Sequence, residues 1–204
     1  LEAELMRFGC KPLFLDQAMH EAFYNRFCKQ TLWPVLHNQL EMYGDKPARF
    51  MGSGGGSPVD NLEDALRLLK TVSQKFRDKI VEVYNEGDLV WIHGFHLLLV
   101  PSFVTRQLPV AKIGLFLHTP FPSSEIFRTL AIRDELLRGA LAADQIGFHL
   151  FEYARHFLTA VRRILGLTSR ESRTPGGASL VVDVNGREVL ITCVHASVEP
   201  RVVE

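Results

Sequence analysis

The chain has 204 residues, 47% of them hydrophobic, and a chain of this length can bury enough surface to form one globular domain without disulfides or a structural metal. Its 23 lysines and arginines balance its 23 aspartates and glutamates, so net charge does not predict binding to nucleic acid or to an anionic membrane. The longest apolar run, residues 97–101, is too short to cross a bilayer. Three cysteines, an odd and sparse set, indicate reduced thiols in a cytoplasmic protein rather than a disulfide framework.

The first third of the chain predicts helices. The charged residues 1–4 show no signal-peptide pattern, and they are also compatible with a start inside a longer protein. Asp16 is a candidate N-cap, and Pro34 suits the first turn of a new helix. Between them, apolar side chains recur every four residues and predict one buried helical face: Met19, Phe23 and Phe27.

A glycine-rich stretch, residues 51–58, interrupts this region. It follows no strand and lacks the Gly-Lys-Ser/Thr ending of a phosphate-binding loop, so we predict a flexible surface insertion at about residues 45–58. Residues 60–63 then have the spacing of a capping box. The helix after them carries a stripe that predicts a core face and ends before Gly87; the stripe contains Leu62, Leu66, Leu69, Val72, Phe76, Ile80 and Val83.

From residue 88 the pattern changes to short apolar runs at residues 89–92, 113–117 and 145–148. Two amphipathic helices lie among them; one follows residues 122–124, and the other ends at Gly166. The first is predicted to bury Phe127, Leu130, Leu137 and Leu141, and the second Ala154, Phe157, Leu158, Val161 and Leu165. Strands that alternate with helices predict a parallel sheet covered on both faces.

Residues 180–184 and 189–194 flank Asn185-Gly186, a favoured two-residue turn, and predict a β-hairpin. The predicted fold class is therefore α/β: a doubly wound, Rossmann-like parallel sheet with a late β-hairpin.

Four apolar runs end in the same residue type, at His93, His118, His149 and His195. Ligands of open α/β sheets bind at the carboxyl ends of the strands, so several imidazoles are predicted to share one rim. His195 depends on the direction of the last strand. A histidine at a strand end can also simply bond a loop carbonyl, and this alternative stays open for His149 and His195.

A metal site is disfavoured, although His93 and His96 are three residues apart, because Gly94 and Phe95 supply no ligand and no carboxylate or cysteine accompanies them. His118 precedes a proline-bearing turn, residues 119–125, that leads into a helix whose first amides would favour an anion. The residues themselves therefore indicate an α/β domain with a polar, histidine-bearing rim.

Several segments resemble the trehalose-6-phosphate synthase family, eukaryotic type. Residues 24–34 match its Tyr-x-x-Phe-x(5)-Trp-Pro segment, and residues 88–97 match Val-Trp-Ile-His-Asp-Tyr-His-Leu. Residues 113–130 are nearly the family's own sequence. So are residues 146–149, 153–158 and 165–167, and the resemblance runs from about Pro12 to Pro200.

The resemblance implies one half of a GT-B glycosyltransferase, in which two Rossmann-like domains face each other across a cleft. It implies transfer of glucose from UDP-glucose, as co-substrate, to glucose 6-phosphate with retention, without a metal or another cofactor. His118 corresponds to a catalytic histidine beside the transferred glucose. Tyr24 and Trp33 correspond to aromatic residues that hold the acceptor; the alternative is that they are ordinary core aromatics.

The departures from the family pattern bear on activity. Gly94 stands where the family has a substrate-binding aspartate, and Phe95 replaces a tyrosine. We expect residues 1–204 to form a single acceptor-side domain, incomplete at both ends, that lacks the donor-binding domain and is inactive alone. A phosphatase-like domain is a possible fused partner. The alternative, favoured by Gly94, is a catalytically silent relative that senses sugar phosphates or acts as a scaffold.

Overall fold

The computed structural model describes residues 2–39, 62–174 and 177–194. Its α-helices are α1 (Glu2–Met6), α2 (Gln17–His20), α3 (Trp33–Leu36), α4 (Leu62–Val83), α5 (Val100–Gln107), α6 (Ser124–Phe127), α7 (Arg133–Ala140) and α8 (Phe151–Ala160). Its strands are β1 (Leu89–His93), β2 (Lys112–Leu117), β3 (Gln145–Phe148), β4 (Ser169–Thr174), β5 (Gly177–Val184) and β6 (Arg187–Cys193). The predicted insertion at 45–58, the first two residues of the predicted capping box at 60–63, and His195 lie outside the described residues.

The six strands form one sheet in the order β1-β2-β3-β6-β5-β4. The pairs β1–β2, β2–β3 and β3–β6 are parallel, whereas β5 runs antiparallel to β6 and to β4. The predicted α/β class and the late hairpin are confirmed. In the hairpin turn, Asn185 and Gly186 have φ values of 54° and 83°, as a type I′ turn requires, and the Gly186 amide donates to the Asp183 carboxylate at 2.9 Å.

Helices cover one face of this sheet. The core there combines strand residues with residues of α4, α5, α7 and α8; the strand residues are Ile92, Ile113, Leu115, Leu117, Ile146, Phe148, Val182, Val189 and Ile191. The opposite face, which we call the open face, carries a groove of about 680 Å³ over β1, β2, β3 and β6. Trp91 on this face is 62% exposed. Within the described residues, the prediction that both faces are covered thus holds for one face only.

Two glycines shape the open face. Gly114 lies opposite Trp91 in the β1–β2 register, and Gly147 lies opposite Phe116 in the β2–β3 register. A Cβ atom on Gly147 would stand 2.5 Å from the Phe116 ring, and one on Gly114 would stand 3.4 Å from Trp91. Because neither glycine has a side chain, the Trp91 ring can lie across β2 and the Phe116 ring can lie across β3.

The front of the chain forms a π-helix, Glu21–Leu32, where the sequence predicts an ordinary helix. Asp16 caps α2 as predicted: its carboxylate accepts from the Met19 amide at 2.8 Å. In a π-helix, hydrogen bonds join residues five apart, and the Trp33 amide donates to the Cys28 carbonyl in that pattern. The buried residues Phe23, Phe27, Cys28 and Leu32 recur at intervals of four or five, so a spacing of four could not distinguish the two helix types.

The helix predicted after residues 122–124 is interrupted, which corrects the sequence interpretation. It forms as α6 and α7, separated by turns, while Phe127, Leu130, Leu137 and Leu141 are all buried as predicted. At the interruption, the Leu130 carbonyl accepts from the Arg133 amide at 3.3 Å and from the Arg133 guanidinium at 3.1 Å. A π-helical segment, Val161–Leu165, continues α8 and ends at Gly166, which has the left-handed conformation, as predicted. In the part of the chain described here, no helix has both the length and the apolar character needed to cross a membrane.

Candidate active site

Three histidines stand together at the carboxyl ends of three adjacent parallel strands. His93 ends β1, His118 follows β2 and His149 follows β3. The Nδ1 atom of His93 lies 3.0 Å from Nε2 of His118, and Nδ1 of His118 lies 3.3 Å from Nε2 of His149. We call these three residues the histidine chain. The Nε2 atom of His149 thus faces the His118 imidazole rather than a loop carbonyl.

The pKa of His118 is lowered from its ordinary value. The main cause is partial removal of the ring from water, and the positive charges that His93 and His149 would carry when protonated add to it. A lowered pKa favours the neutral imidazole near pH 7, which can donate from one nitrogen and accept at the other.

Gly94 adopts a backbone conformation that suits glycine. Its φ is 87° and its ψ is 160°, and its amide donates to the Phe116 carbonyl at 2.9 Å. A side chain at this φ is strained, so an aspartate could not occupy this position without cost or a backbone shift. The chain after Gly94 turns through a short 3₁₀ segment, Phe95–Leu97, and Phe95 is buried.

A cavity of about 410 Å³ opens beside the histidine chain, and we call it the rim cavity. Its lining consists of Trp33, His37, His93, Gly94, Phe95, His96, His118 and Thr119. Trp33, Gly94 and His118, predicted from distant parts of the sequence, therefore meet at one site. Tyr24 reaches the same site through His96, since the two rings stack with centroids 5.4 Å apart.

Imidazole rings pair with both predicted aromatic residues. Tyr24 stacks on His20 at 5.3 Å as well as on His96, and Trp33 stacks on His37 at 3.8 Å. Trp33 is exposed and is therefore not an ordinary core residue, whereas Tyr24 is half-buried and packs against the core.

Lys29 adds a fixed positive charge at this site, with its ammonium 4.6 Å from the centre of the Tyr24 ring. Burial, and then the charge of Lys29, lower the pKa of His96. The residues that line the rim cavity include no carboxylate. The arrangement of Lys29 and neighbouring imidazoles without an acid is suited to a ligand with a negative charge and a hydrophobic or sugar face.

Sequence reasoning did not assign His20, His37 or Lys29 to the site. A usable signal was present for the first two, because His20 precedes Tyr24 by four residues and His37 follows Trp33 by four. Lys29 could not be found this way: its approach to Tyr24 depends on the π-helix.

The expected anion site at the helix start after His118 is not favoured by the structure. Helix α6 has four residues, and its first turn already carries the acid Glu125, which binds the Arg163 guanidinium. The proline-bearing turn is instead fixed by packing, because the Phe121 ring contacts Phe127 and Phe157, with centroids 4.8 and 5.2 Å away. The turn thus holds His118 in place at the rim.

The histidine chain is linear, with neighbouring nitrogens directed at each other rather than at a common centre. Within residues 2–39, 62–174 and 177–194, no group of three or more histidine, cysteine or acidic side chains is arranged to hold a metal ion. His195 lies outside this range; the strand that precedes it, β6, runs parallel to β3.

A sequence model of glycosyltransferase family 20 matches residues 2–204. The chain belongs to this family. Over 188 residues it is 44% identical to probable alpha,alpha-trehalose-phosphate synthase (UDP-forming) 9 of Arabidopsis thaliana, a match that covers 92% of this chain and 20% of that protein. The chain thus spans about a fifth of the length of this relative.

Solved structures share the fold. The N-terminal domain of trehalose-6-phosphate phosphatase from Candida albicans is 31% identical with a TM-score of 0.70, and the match covers 95% of this chain and 36% of that one. An alpha,alpha-trehalose-phosphate synthase (UDP-forming) from Burkholderia xenovorans, in complex with glucose-6-phosphate, is 21% identical with a TM-score of 0.74. That match covers 92% of this chain and 37% of that one. The second likeness shows the fold alone.

Proposed function

We propose that this chain is the acceptor-side half of a GT-B glycosyltransferase of trehalose biosynthesis, which transfers glucose from UDP-glucose to glucose 6-phosphate. One observation supports this most: Trp33, Gly94 and His118 line one cavity at the carboxyl ends of β1 and β2, with Tyr24 next to it. The family and the name of the Arabidopsis relative support the reaction class.

In this proposal each residue has a physical role. The Trp33 indole, 40% exposed at the edge of the rim cavity, packs against the apolar face of the acceptor sugar. Lys29 and the imidazoles around Tyr24 attract the acceptor phosphate. The His118 ring contacts the transferred glucose and orients it, while its two ring nitrogens stay bonded to His93 and His149. A second domain, outside this chain, binds UDP-glucose and closes the cleft.

The reaction separates charge as UDP leaves, and an enzyme of this kind gains most from groups placed to stabilise that charge. Gly94 supplies no carboxylate for this purpose, so the remaining groups or the second domain must do so. We therefore expect the chain alone to be inactive. We also propose that the parent protein is cytoplasmic and contains the donor-binding domain.

The first experiment measures UDP release from UDP-glucose and glucose 6-phosphate by the full-length parent protein. We expect Trp33→Ala to raise KM for glucose 6-phosphate and His118→Gln to lower kcat about 10²–10³-fold, as loss of one positioned group does. Phe8→Ala, which truncates an aromatic ring that is 82% exposed, serves as the control. Equal activity in all four proteins would remove the rim cavity from the mechanism.

A second candidate function is a catalytically silent module that binds sugar phosphate or acts as a scaffold. Gly94 and its φ of 87° favour it, since the local backbone is fitted to glycine rather than to the family's aspartate. The Candida albicans relative, which is the N-terminal domain of a protein named as a phosphatase, also favours it, and a fused phosphatase-like domain belongs to this candidate.

Two variants of the parent protein separate the candidates. Gly94→Asp restores the family carboxylate, and Gly94→Asn has almost the same size and backbone strain without the charge. A silent module would gain UDP release with aspartate but not with asparagine. An active transferase would lose activity with both, because both strain the segment between His93 and Phe95.

A further inference from the structure

His118 occupies the middle of the histidine chain, and both of its ring nitrogens face another imidazole nitrogen. Its Nε2 lies 3.0 Å from Nδ1 of His93, and its Nδ1 lies 3.3 Å from Nε2 of His149. A neutral imidazole carries one N–H and one acceptor nitrogen. Each of the two contacts therefore needs one N–H and one lone pair, and His118 can supply the N–H to only one of them.

This requirement leaves two arrangements for three neutral rings. If His93 donates from Nδ1, then His118 must donate from Nδ1 to His149, and His149 carries its own proton on Nδ1. If His149 donates from Nε2, then His118 donates from Nε2 to His93, and His93 carries its proton on Nε2. In either arrangement all three rings are the same tautomer, and a mixed set leaves two lone pairs or two N–H groups facing each other.

We propose that His93 and His149 are positioning residues that fix the tautomer of His118, and that the three rings change tautomer only together. The two outer nitrogens, Nε2 of His93 and Nδ1 of His149, then always have opposite roles. One accepts when the other donates. His93 lines the rim cavity, so a hydroxyl that donates to its Nε2 selects the Nδ1–H form of all three rings.

The surroundings favour the neutral state on which this coupling depends. The pKa of His118 is lowered by partial removal from water and by its two imidazole neighbours. The Phe116 ring packs against the histidine chain from the open face, with its centroid 4.7 Å from that of His118 and 5.0 Å from that of His149. The rings of His93 and His118 lie nearly edge to edge, with centroids 5.2 Å apart and an interplanar angle of 21°, as the bond between their nitrogens requires.

The test is nitrogen-15 NMR of the histidine rings in the 204-residue chain, near pH 8, where a pyrrole-type and a pyridine-type nitrogen are distinguished by chemical shift. We expect His93, His118 and His149 to report one common tautomer. A different tautomer at any one of the three positions overturns the proposal, and this measurement needs no variant.

A second measurement tests the coupling through His118. His149→Leu is expected to change the tautomer balance at His93, which His149 does not contact, with the thermal unfolding midpoint as a check on folding. His20→Leu, the same replacement at an exposed histidine stacked on Tyr24, is the control and should leave His93 unchanged. Unchanged His93 nitrogen shifts in a folded His149→Leu variant would show that the rings act independently. The readout is independent of sugar transfer, so failure of the proposed function would leave this inference standing.

Discussion

The two faces of the sheet are built from the same strands but differ in what they contact. On the covered face, Ile92, Leu115 and Ile146 are buried against helices. On the open face, the alternate positions hold Trp91, with 62% of its surface exposed, and the glycines that make room for aromatic rings. Apolar residues therefore occur on both faces of the sheet. Contacts with the helices decide which face contributes most to the stability of the protein.

The rim shows the same contrast at the strand ends. Thr119 follows β2 and its side chain is on the same side as the covered face. It is buried and lines the rim cavity. His93 and His118, on the open side, are exposed and bond to each other. The site thus forms at the edge where the covered and open faces meet.

The largest expected difference between the faces comes from truncating one aromatic residue on each. Phe148→Ala removes a fully buried ring from the covered face and should lower the free energy of unfolding by about 3–5 kcal/mol. Trp91→Ala on the open face should cost less than about 1 kcal/mol, because its ring is mostly in water already. Urea denaturation of both variants measures the difference. Similar losses would mean that the open face is covered in solution.

Added methyl groups should show a smaller contrast of the same kind. Gly139→Ala places a Cβ 2.7 Å from the Leu98 carbonyl oxygen, a backbone atom on the covered side, and should destabilise by about 1–3 kcal/mol or more. In Gly147→Ala the Cβ would meet the Phe116 ring, which can turn toward the open face, so the loss should stay near about 1 kcal/mol. Thermal unfolding compares the two, and a larger loss in Gly147→Ala would contradict the distinction between backbone and side-chain neighbours.

Removing one hydroxyl at the rim should stabilise the protein. The Thr119 hydroxyl is the one buried side-chain polar group in the described parts of the chain without a hydrogen-bond partner. Thr119→Val keeps the branched shape and removes the unpaired group, so we expect a gain of about 1 kcal/mol in the free energy of unfolding. Thr119→Ser keeps the hydroxyl and should show no gain. A loss on Thr119→Val would indicate that the hydroxyl is bonded in solution.

The smallest expected effect is on acid stability. The pKa values of His118 and His96 are lowered in the folded chain, so protonation favours the unfolded state. Their contribution to stability is complete above the ordinary histidine pKa of about 6.5 and is lost as pH falls through the lower folded values. The thermal midpoint should therefore decrease below about pH 6.5, and less so in His118→Gln. Parallel pH profiles for the wild type and His118→Gln would contradict this assignment.

Much of the back half of the fold was predictable. Residues 145–148 form β3 as predicted, and Asn185-Gly186 forms the predicted turn, because both signals are local. Strand β4 was not predicted, since its polar sequence Ser-Arg-Glu-Ser-Arg-Thr becomes a strand only by pairing with β5. The π-helix was also missed, because burial intervals of four or five residues fit either helix type over two turns.

The candidate site divides in the same way. The positions of Tyr24, Trp33, Gly94 and His118 were available from the sequence, and their roles in binding and catalysis stay predictions. The stacking of His20 on Tyr24 was also within reach of the sequence, because the two residues are four apart in one helical region. The contact of His96 with Tyr24 and the bond between His118 and His149 depend on which strands and helices become neighbours. No sequence spacing encodes those neighbours.

The sequence by itself determined the family, the parallel strands with a histidine at the carboxyl end of each, and the glycine at position 94. These features depend on the local order of residues along the chain. Tertiary structure alone decided that His93, His118 and His149 form one chain of imidazoles and that Trp33 and Tyr24 stand beside it. Among the described residues, it also decided that helices cover only one face of the sheet. The physical reason is that hydrogen bonds and ring contacts require distances of a few ångströms between residues far apart in sequence, and only the order of strands in the sheet sets those distances.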